Sequence, residues 1–289
     1  MKTKDWLAFI ALGTIWGSSF LWIKIAVQEI GPFLLVAFRL LFGVLGLLVV
    51  ALYTRPKMPR GRRILLILTL IGFTNNAIPY VLISWGEQYI DSAVAAILNS
   101  TTPLFAMIFA HLYLKDDRLT ASRLVGLLVG FVGILILVSR DLSSGTQFNL
   151  AGQLAVLLAS ILYAGTVVFA RKTTQGISPI ALALIPLIGA DLFMWVITPM
   201  VESPLSLPTL PITWVAVVWL GLMGTCIAFL LYYYLLHSVG PTRTALVTYV
   251  FPLVGVILGV IFLGELLDWQ LVVGGALVVG SIVVVNTRK

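Results

Sequence analysis

Apolar residues in this chain neither alternate with polar ones nor gather in one stripe of each helix. They run in blocks of about twenty, broken by short polar connections. Ten blocks are marked: 5–27, 32–53, 63–85, 92–114, 120–139, 149–171, 178–199, 212–236, 241–263 and 269–286. A block of this length with few charges reads as a helix that crosses a bilayer. The connections hold turn formers, among them Gly31-Pro32, Arg55-Pro56, Ser178-Pro179 and Gly240-Pro241. The pattern predicts an all-α integral membrane protein of ten transmembrane helices.

Two blocks break the helical rule in the same way. Ala95–Leu114 carries Pro103 near its middle, and Thr244–Leu263 carries Pro252 at the matching place, 149 residues on. A proline inside a helix frees a carbonyl four residues back. A membrane bundle tolerates it where hydroxyls or neighbouring helices satisfy that carbonyl. Paired interrupted spans in corresponding positions point to a transporter's central site, with Pro103 and Pro252 as helix breaks or hinges. Ala95, Asn99, Thr102, Ala106 and Ala110 share one face of the first block; Thr244, Thr248, Phe251, Gly255 and Gly259 share that of the second.

Composition agrees: 60% of residues are hydrophobic and 10% charged, against about 25% charged in soluble domains. The net charge of +7 follows from topology. With the N-terminus cytoplasmic, that side holds fifteen Lys and Arg residues in its loops and span ends and the other side only Arg140. The positive-inside rule then places both termini in the cytoplasm. No nucleic-acid partner is needed to account for the charge. The first span is long, lacks an A-x-A cleavage site and is read as retained.

The halves echo one another. A shift of 149 pairs Gly72 with Gly221, Pro103 with Pro252, Asp116 with Glu265 and Gly126 with Gly275. A shift of 147 pairs Trp16-Gly17 with Tyr163-Ala164, Lys24 with Arg171 and Pro32 with Pro179. Five spans per half make this a 5+5 inverted-topology repeat, residues 1–145 and 146–289, around a central cavity.

At these residues the chain resembles the drug/metabolite transporter superfamily, specifically its ten-helix EamA-type members. Trp16-Gly17-Ser18-Ser19-Phe20 with Lys24, Arg39 in the second span, the two proline-bearing spans and the run Phe262–Gly275 carry the resemblance. The first half departs from it at Lys115-Asp116-Asp117, where a Gly-Glu pair is usual. The resemblance implies a cavity lined by spans 1, 3, 4, 6, 8 and 9. It also implies alternating access, mostly for export of amino acids or other small metabolites, at the inner membrane of the cell.

Three ionisable residues stand inside spans, Lys24, Arg39 and Asp191, each costing about 2.5–3.5 kcal/mol at a helix centre. Lys24 lies near enough to a span end to snorkel. Arg39 stands about 10 Å past the start of its helix. It either pairs an acid such as Glu87 or binds a substrate carboxylate. Asp191, the one carboxylate well inside a span, is the candidate for proton coupling, weighed against a helix-packing role. Trp16, Asn76, Tyr80, Asn99, Thr102, Tyr163, Thr248 and Tyr249 supply aromatic faces and amide or hydroxyl groups that suit an amphiphilic metabolite. The bland alternative for aromatic residues is the interfacial belt. Gly13-xxx-Gly17, Gly126-xxx-Gly130 and Gly255-xxx-Gly259 are helix-packing faces.

His111 and His237 lack partners at ligand spacing, so no metal is expected. No Gly-Lys nucleotide loop, H-E-x-x-H or G-x-S-x-G occurs, and neither ATP-driven transport nor an enzyme is expected. The reading is a secondary exporter without cofactors. Its partners are a small-molecule substrate, the lipid bilayer and a coupled proton or counter-solute, and it is a monomer or a homodimer. The alternatives are a nucleotide-sugar or phosphate-ester carrier of the same superfamily, or a channel.

Overall fold

A computed structural model describes residues 2–114, 120–142 and 147–287. The Lys115–Arg118 stretch, with the Asp116 counterpart of Glu265, lies outside the described residues, as do Arg288 and Lys289. Helices occupy all ten predicted places, and no strand occurs among the described residues. They are α1 Thr3–Ala26, α2 Pro32–Thr54, α3 Arg62–Gly86, α4 Ser92–Tyr113 and α5 Ala121–Leu142. The second five are α6 Gln147–Thr173, α7 Pro179–Val201, α8 Pro211–Ser238, α9 Arg243–Leu263 and α10 Trp269–Thr287. Among the described residues eight helices are long and apolar enough to cross a membrane, and α5 and α10 each contain a shorter apolar helix. Leu48, Leu52, Leu192 and Ile261 are exposed, as a surface facing lipid rather than water requires.

The helices pack as α1 on α9, α6 on α4, α2 on α8, α7 on α3, α2 on α7 and α5 on α10. Exchanging α1–α5 for α6–α10 maps this set of contacts onto itself. Small residues permit the closest approaches. Gly13 and Gly17 receive Val250 and Val254 of α9, while Gly255 lies against Ala96 of α4.

Four helices are interrupted along their ladders. In α4 the α-helix stops at Asn99 and restarts at Thr102, so Pro103 falls in the first turn of a new segment. Pro103 cannot donate to the Asn99 carbonyl; the Thr102 hydroxyl does so instead, at 2.8 Å. Ser100 and Thr101 donate likewise to Ile97 and Leu98, both at 2.6 Å. Before Pro252, α9 tightens into a 3₁₀ turn over Leu246–Tyr249. The other interruptions are π-helical: Phe73–Ala77 in α3 and Leu222–Ile227 in α8, 149 residues apart. Pro79 frees the Asn75 carbonyl in α3. In α8 the Thr225 hydroxyl donates to the Leu220 carbonyl at 2.9 Å. π turns of this kind are rare and gather at functional sites.

At the face opposite the termini, carboxylates seal helix starts from distant parts of the chain. Glu202 accepts from the Phe33 and Leu34 N–H groups of α2 at 2.8 and 3.0 Å. Glu265 accepts from Ser92 and Ala93 of α4 at 2.7 and 2.9 Å. Glu29 accepts from the Thr209 and Leu210 N–H groups before α8 at 2.6 and 3.0 Å. Each satisfies N–H groups that lack a partner within their own helix and places an anion at the positive end of the helix dipole.

Candidate functional site

Arg39 of α2 lies between α3 and α8, the two helices that carry π turns. Its guanidinium sits 3.7 Å over the Tyr80 ring of α3. Its Nε donates to the Thr225 hydroxyl of α8 at 3.3 Å. A cation over an aromatic face gains more when desolvated, and Arg39 is only 4% exposed. No carboxylate lies within salt-bridge distance of it among the described residues. Glu87 is near enough to feel its charge without pairing it. Tyr163 of α6 lies within electrostatic range of both Arg39 and Tyr80.

Trp16 continues the wall. Its indole N–H donates to the Gly224 carbonyl in the α8 π turn at 3.1 Å. Its ring meets Tyr232 and Phe251, each with centroids 5.7 Å away. Gly224 leaves room for its neighbours: a Cβ there would stand 3.2 Å from Ser19 Oγ and 3.8 Å from Arg39 Nη2. Asn76, in the α3 π turn, is 2% exposed, and its amide oxygen is buried without a partner. Asn99 stands at the α4 break, its side-chain oxygen 3.5 Å from the Ser160 hydroxyl of α6.

The structure thus brings Trp16, Arg39, Tyr80 and Tyr163 together with Phe251 of the second proline-bearing span, and adds Thr225, Gly224 and Tyr232, which sequence reasoning passed over. The signal for Thr225 was a hydroxyl four residues past Gly221, in the span matching α3. Thr102 and Thr248 turn their hydroxyls to carbonyls of their own helices, Asn99 and Ala245, each at 2.8 Å. Tyr249 is half-buried against the core. Asp191 is buried in α7, with Trp195 as its polar neighbour and Oδ1 unpartnered. It is not the lone interior carboxylate that the sequence suggested, since Glu87 and Asp5 are at least as buried. Lys24 snorkels: its ammonium donates to the Glu87 and Ile90 carbonyls at 2.6 and 2.8 Å, closing the end of α3.

Two clefts flank the bundle. One of ≈ 410 Å³ lies between Pro179 and the Tyr233–Ser238 end of α8. The other, ≈ 340 Å³, lies at the face opposite the termini and is lined by Lys24, Gln28, Asp91 and Glu265. Neither is lined by Arg39 or Tyr80, which are 4% and 5% exposed, so this pair is packed closed in this conformation. Among the described residues no group of histidine, cysteine and carboxylate side chains could hold a metal ion.

An all-α bundle with lipid-facing sides, interrupted helices and a buried cation at their crossing defines a multi-pass membrane transporter. The model of the EamA-like transporter family matches the chain twice, over residues 4–139 and 150–287. The chain belongs to that family, within the drug/metabolite transporter superfamily. It is 32% identical over 263 residues to the uncharacterized inner membrane transporter YedA of Escherichia coli K12, covering 90% of this chain and 83% of that one. It is 26% identical over 268 residues to the uncharacterized transporter YdfC of Bacillus subtilis, covering 93% and 86%. An uncharacterized transporter of Archaeoglobus fulgidus is 25% identical over 286 residues, covering 99% and 100%. A crystal structure with 18% identity superposes over 99% of this chain and 98% of that one, with a TM-score of 0.71. At that identity it supports the fold alone.

Proposed function

We propose that the protein is a secondary transporter that exports small amphiphilic organic metabolites, amino acids or their relatives, by alternating access. Its two halves, 1–145 and 146–289, act as inverted repeats around the Arg39 cluster. The double family match and the exchange of contacts between halves support that arrangement. The observation that carries the substrate class is a buried guanidinium with no acidic partner among the described residues, stacked on Tyr80 and braced by Thr225. A buried charge is costly until paired, so the site favours a carboxylate ligand. Trp16, Tyr163, Tyr232 and Phe251 offer aromatic faces to the ligand's apolar body. The runner-up, a sugar-nucleotide or phosphate-ester carrier, calls for more cationic groups than the single one this cluster holds.

The inner membrane is the proposed location, since YedA is named an inner membrane transporter. The distribution of Lys and Arg favours cytoplasmic termini. Thermal melting of the purified protein with a panel of amino acids, their amides, polyamines and sugar nucleotides tests the reading. A carboxylate ligand at 100 times its dissociation constant adds about 2.7 kcal/mol to the folded state. The reading expects that shift in the wild type and its loss in Arg39→Gln. Stabilisation by sugar nucleotides alone would favour the runner-up.

A further inference from the structure

One ionisable group is left unexplained by the Arg39 site. Glu87 stands one residue past the end of α3 and is 0% exposed. Both of its carboxylate oxygens are buried without a hydrogen-bond partner. Glu202 and Glu265 spend both oxygens on helix N-terminal N–H groups and Glu29 spends one on the start of α8, whereas neither oxygen of Glu87 is used. Among the described residues it serves no cap and closes no ion pair. A charged carboxylate in such a place costs several kcal/mol.

The groups facing it come from three directions. Lys24 of α1 donates its ammonium to the Glu87 main-chain carbonyl rather than the carboxylate. Arg39 of α2 is engaged with Tyr80 and Thr225. Glu265, following α9, is engaged with the start of α4. From α6, Gly152 and Val156 pack on neighbouring Gly86, and the first two turns of that helix carry no charged residue. Burial, first, pushes the carboxyl well above the ordinary carboxylate range; Lys24 pulls it down, Glu265 pushes it up and Arg39 pulls it down. Lys24 also lines the cleft that opens on the face opposite the termini. It stands between the buried carboxyl and water.

We propose that Glu87 is a proton-binding site whose protonation holds this face of the bundle closed. In the closed conformation the carboxyl carries its proton. On ionisation the Oε–H bond breaks and the proton passes to water in the Lys24–Glu265 cleft. The ammonium of Lys24 then turns from the main-chain carbonyls to the new carboxylate. That movement removes the cap on α3 and frees the α3–α4 connection from α1, beside the α4–α9 contact and the Glu265 cap of α4 at this face. The sign follows: closing takes up a proton, so low pH favours the closed form and rising pH favours opening. Glu87, rather than Asp191, is then the coupling carboxylate. Its value to transport rests on the reading above, but its test needs no substrate, so the two fail separately.

Ser92 is 0% exposed beneath Glu265, and its hydroxyl makes no hydrogen bond, so Ser92→Cys reports opening at little structural cost. The variant is made in a Cys226→Ala background in lipid nanodiscs. Its labelling by a membrane-impermeant maleimide is divided by that of exposed Gln28→Cys, which cancels the thiol's own pH dependence. Between about pH 6 and pH 9 the normalised rate is expected to rise at least about tenfold with Glu87 present. In Glu87→Gln, the neutral isostere, it stays at the low-pH value throughout. Glu87→Gln also melts at or above the wild type and loses the infrared band of an un-ionised carboxyl. A rate independent of pH in the wild type, or equally pH-dependent in Glu87→Gln, would overturn the proposal. So would a Glu87→Gln protein that melts well below the wild type, because the neutral isostere should lose nothing.

Discussion

Removing the Glu265 carboxylate tests whether distant acids hold the helix starts. Glu265→Ala deletes acceptors that meet the Ser92 and Ala93 N–H groups at 2.7 and 2.9 Å. Hydrogen bonds to a charged group contribute about 1.5–3 kcal/mol each. Glu265 is half-buried, so water replaces part of what is lost and each bond counts for about 1 kcal/mol, as for a neutral pair. Together with the anion's interaction with the helix dipole, the expected cost is about 2–3 kcal/mol. In a chain of this size that lowers the melting temperature by roughly 4–12 °C. Glu265→Gln keeps one acceptor and loses the charge, so it should fall about midway. Glu202→Ala, which uncaps α2 with the same geometry, should match Glu265→Ala. Melting of the three variants in one detergent decides the matter. A Glu265→Ala protein within about 1 °C of the wild type would show that these contacts are surface decoration.

Other perturbations probe different contacts. The Thr209 hydroxyl and the Thr209 and Leu210 N–H groups hold the Glu29 carboxyl at about 2, below its ordinary 4.5. This group therefore stabilises the fold above pH 4.5, and the contribution drains away as pH falls toward 2. Melting of Glu29→Gln should accordingly show a flatter dependence on pH across that range. Gly255→Val pushes a side chain into Ala96 where α9 crosses α4, and should cost about 1–3 kcal/mol by melting. Thr225→Val keeps the shape but leaves Arg39 Nε unbraced, costing about 1 kcal/mol of ligand affinity, or roughly fivefold in dissociation constant.

The ten spans were legible because a bilayer-crossing helix must be apolar along its whole length, and the breaks because proline removes a donor wherever it falls. Arg39 stood out because a cation inside a span is expensive, and Trp16 and Tyr163 because they lie too deep for an interfacial belt. What stayed hidden depends on contacts that no local pattern records. Glu202 and Glu265 cap helices 168 to 173 residues away in sequence, so in the chain they look like ordinary loop acids. Glu87 looked the same, at the end of a span beside Gln88 and Tyr89, yet the fold buries it completely. Thr225 passed as one more small residue in an apolar run. Only its place beside a π turn, across from Arg39, gives it a partner. The hydroxyls of Thr102 and Thr248 suggested ligand contacts, whereas in this conformation they serve carbonyls at the helix breaks.

The central claim is that Arg39 is the anchor for a substrate carboxylate. The most direct measurement is equilibrium binding of an aromatic amino acid and of its amide, followed by isothermal titration calorimetry in wild type and Arg39→Gln. The account predicts that the carboxylate form binds, that the amide binds at least about tenfold more weakly, and that Arg39→Gln removes the difference. Equal binding of acid and amide to the wild type, or an unchanged preference in Arg39→Gln, would contradict it.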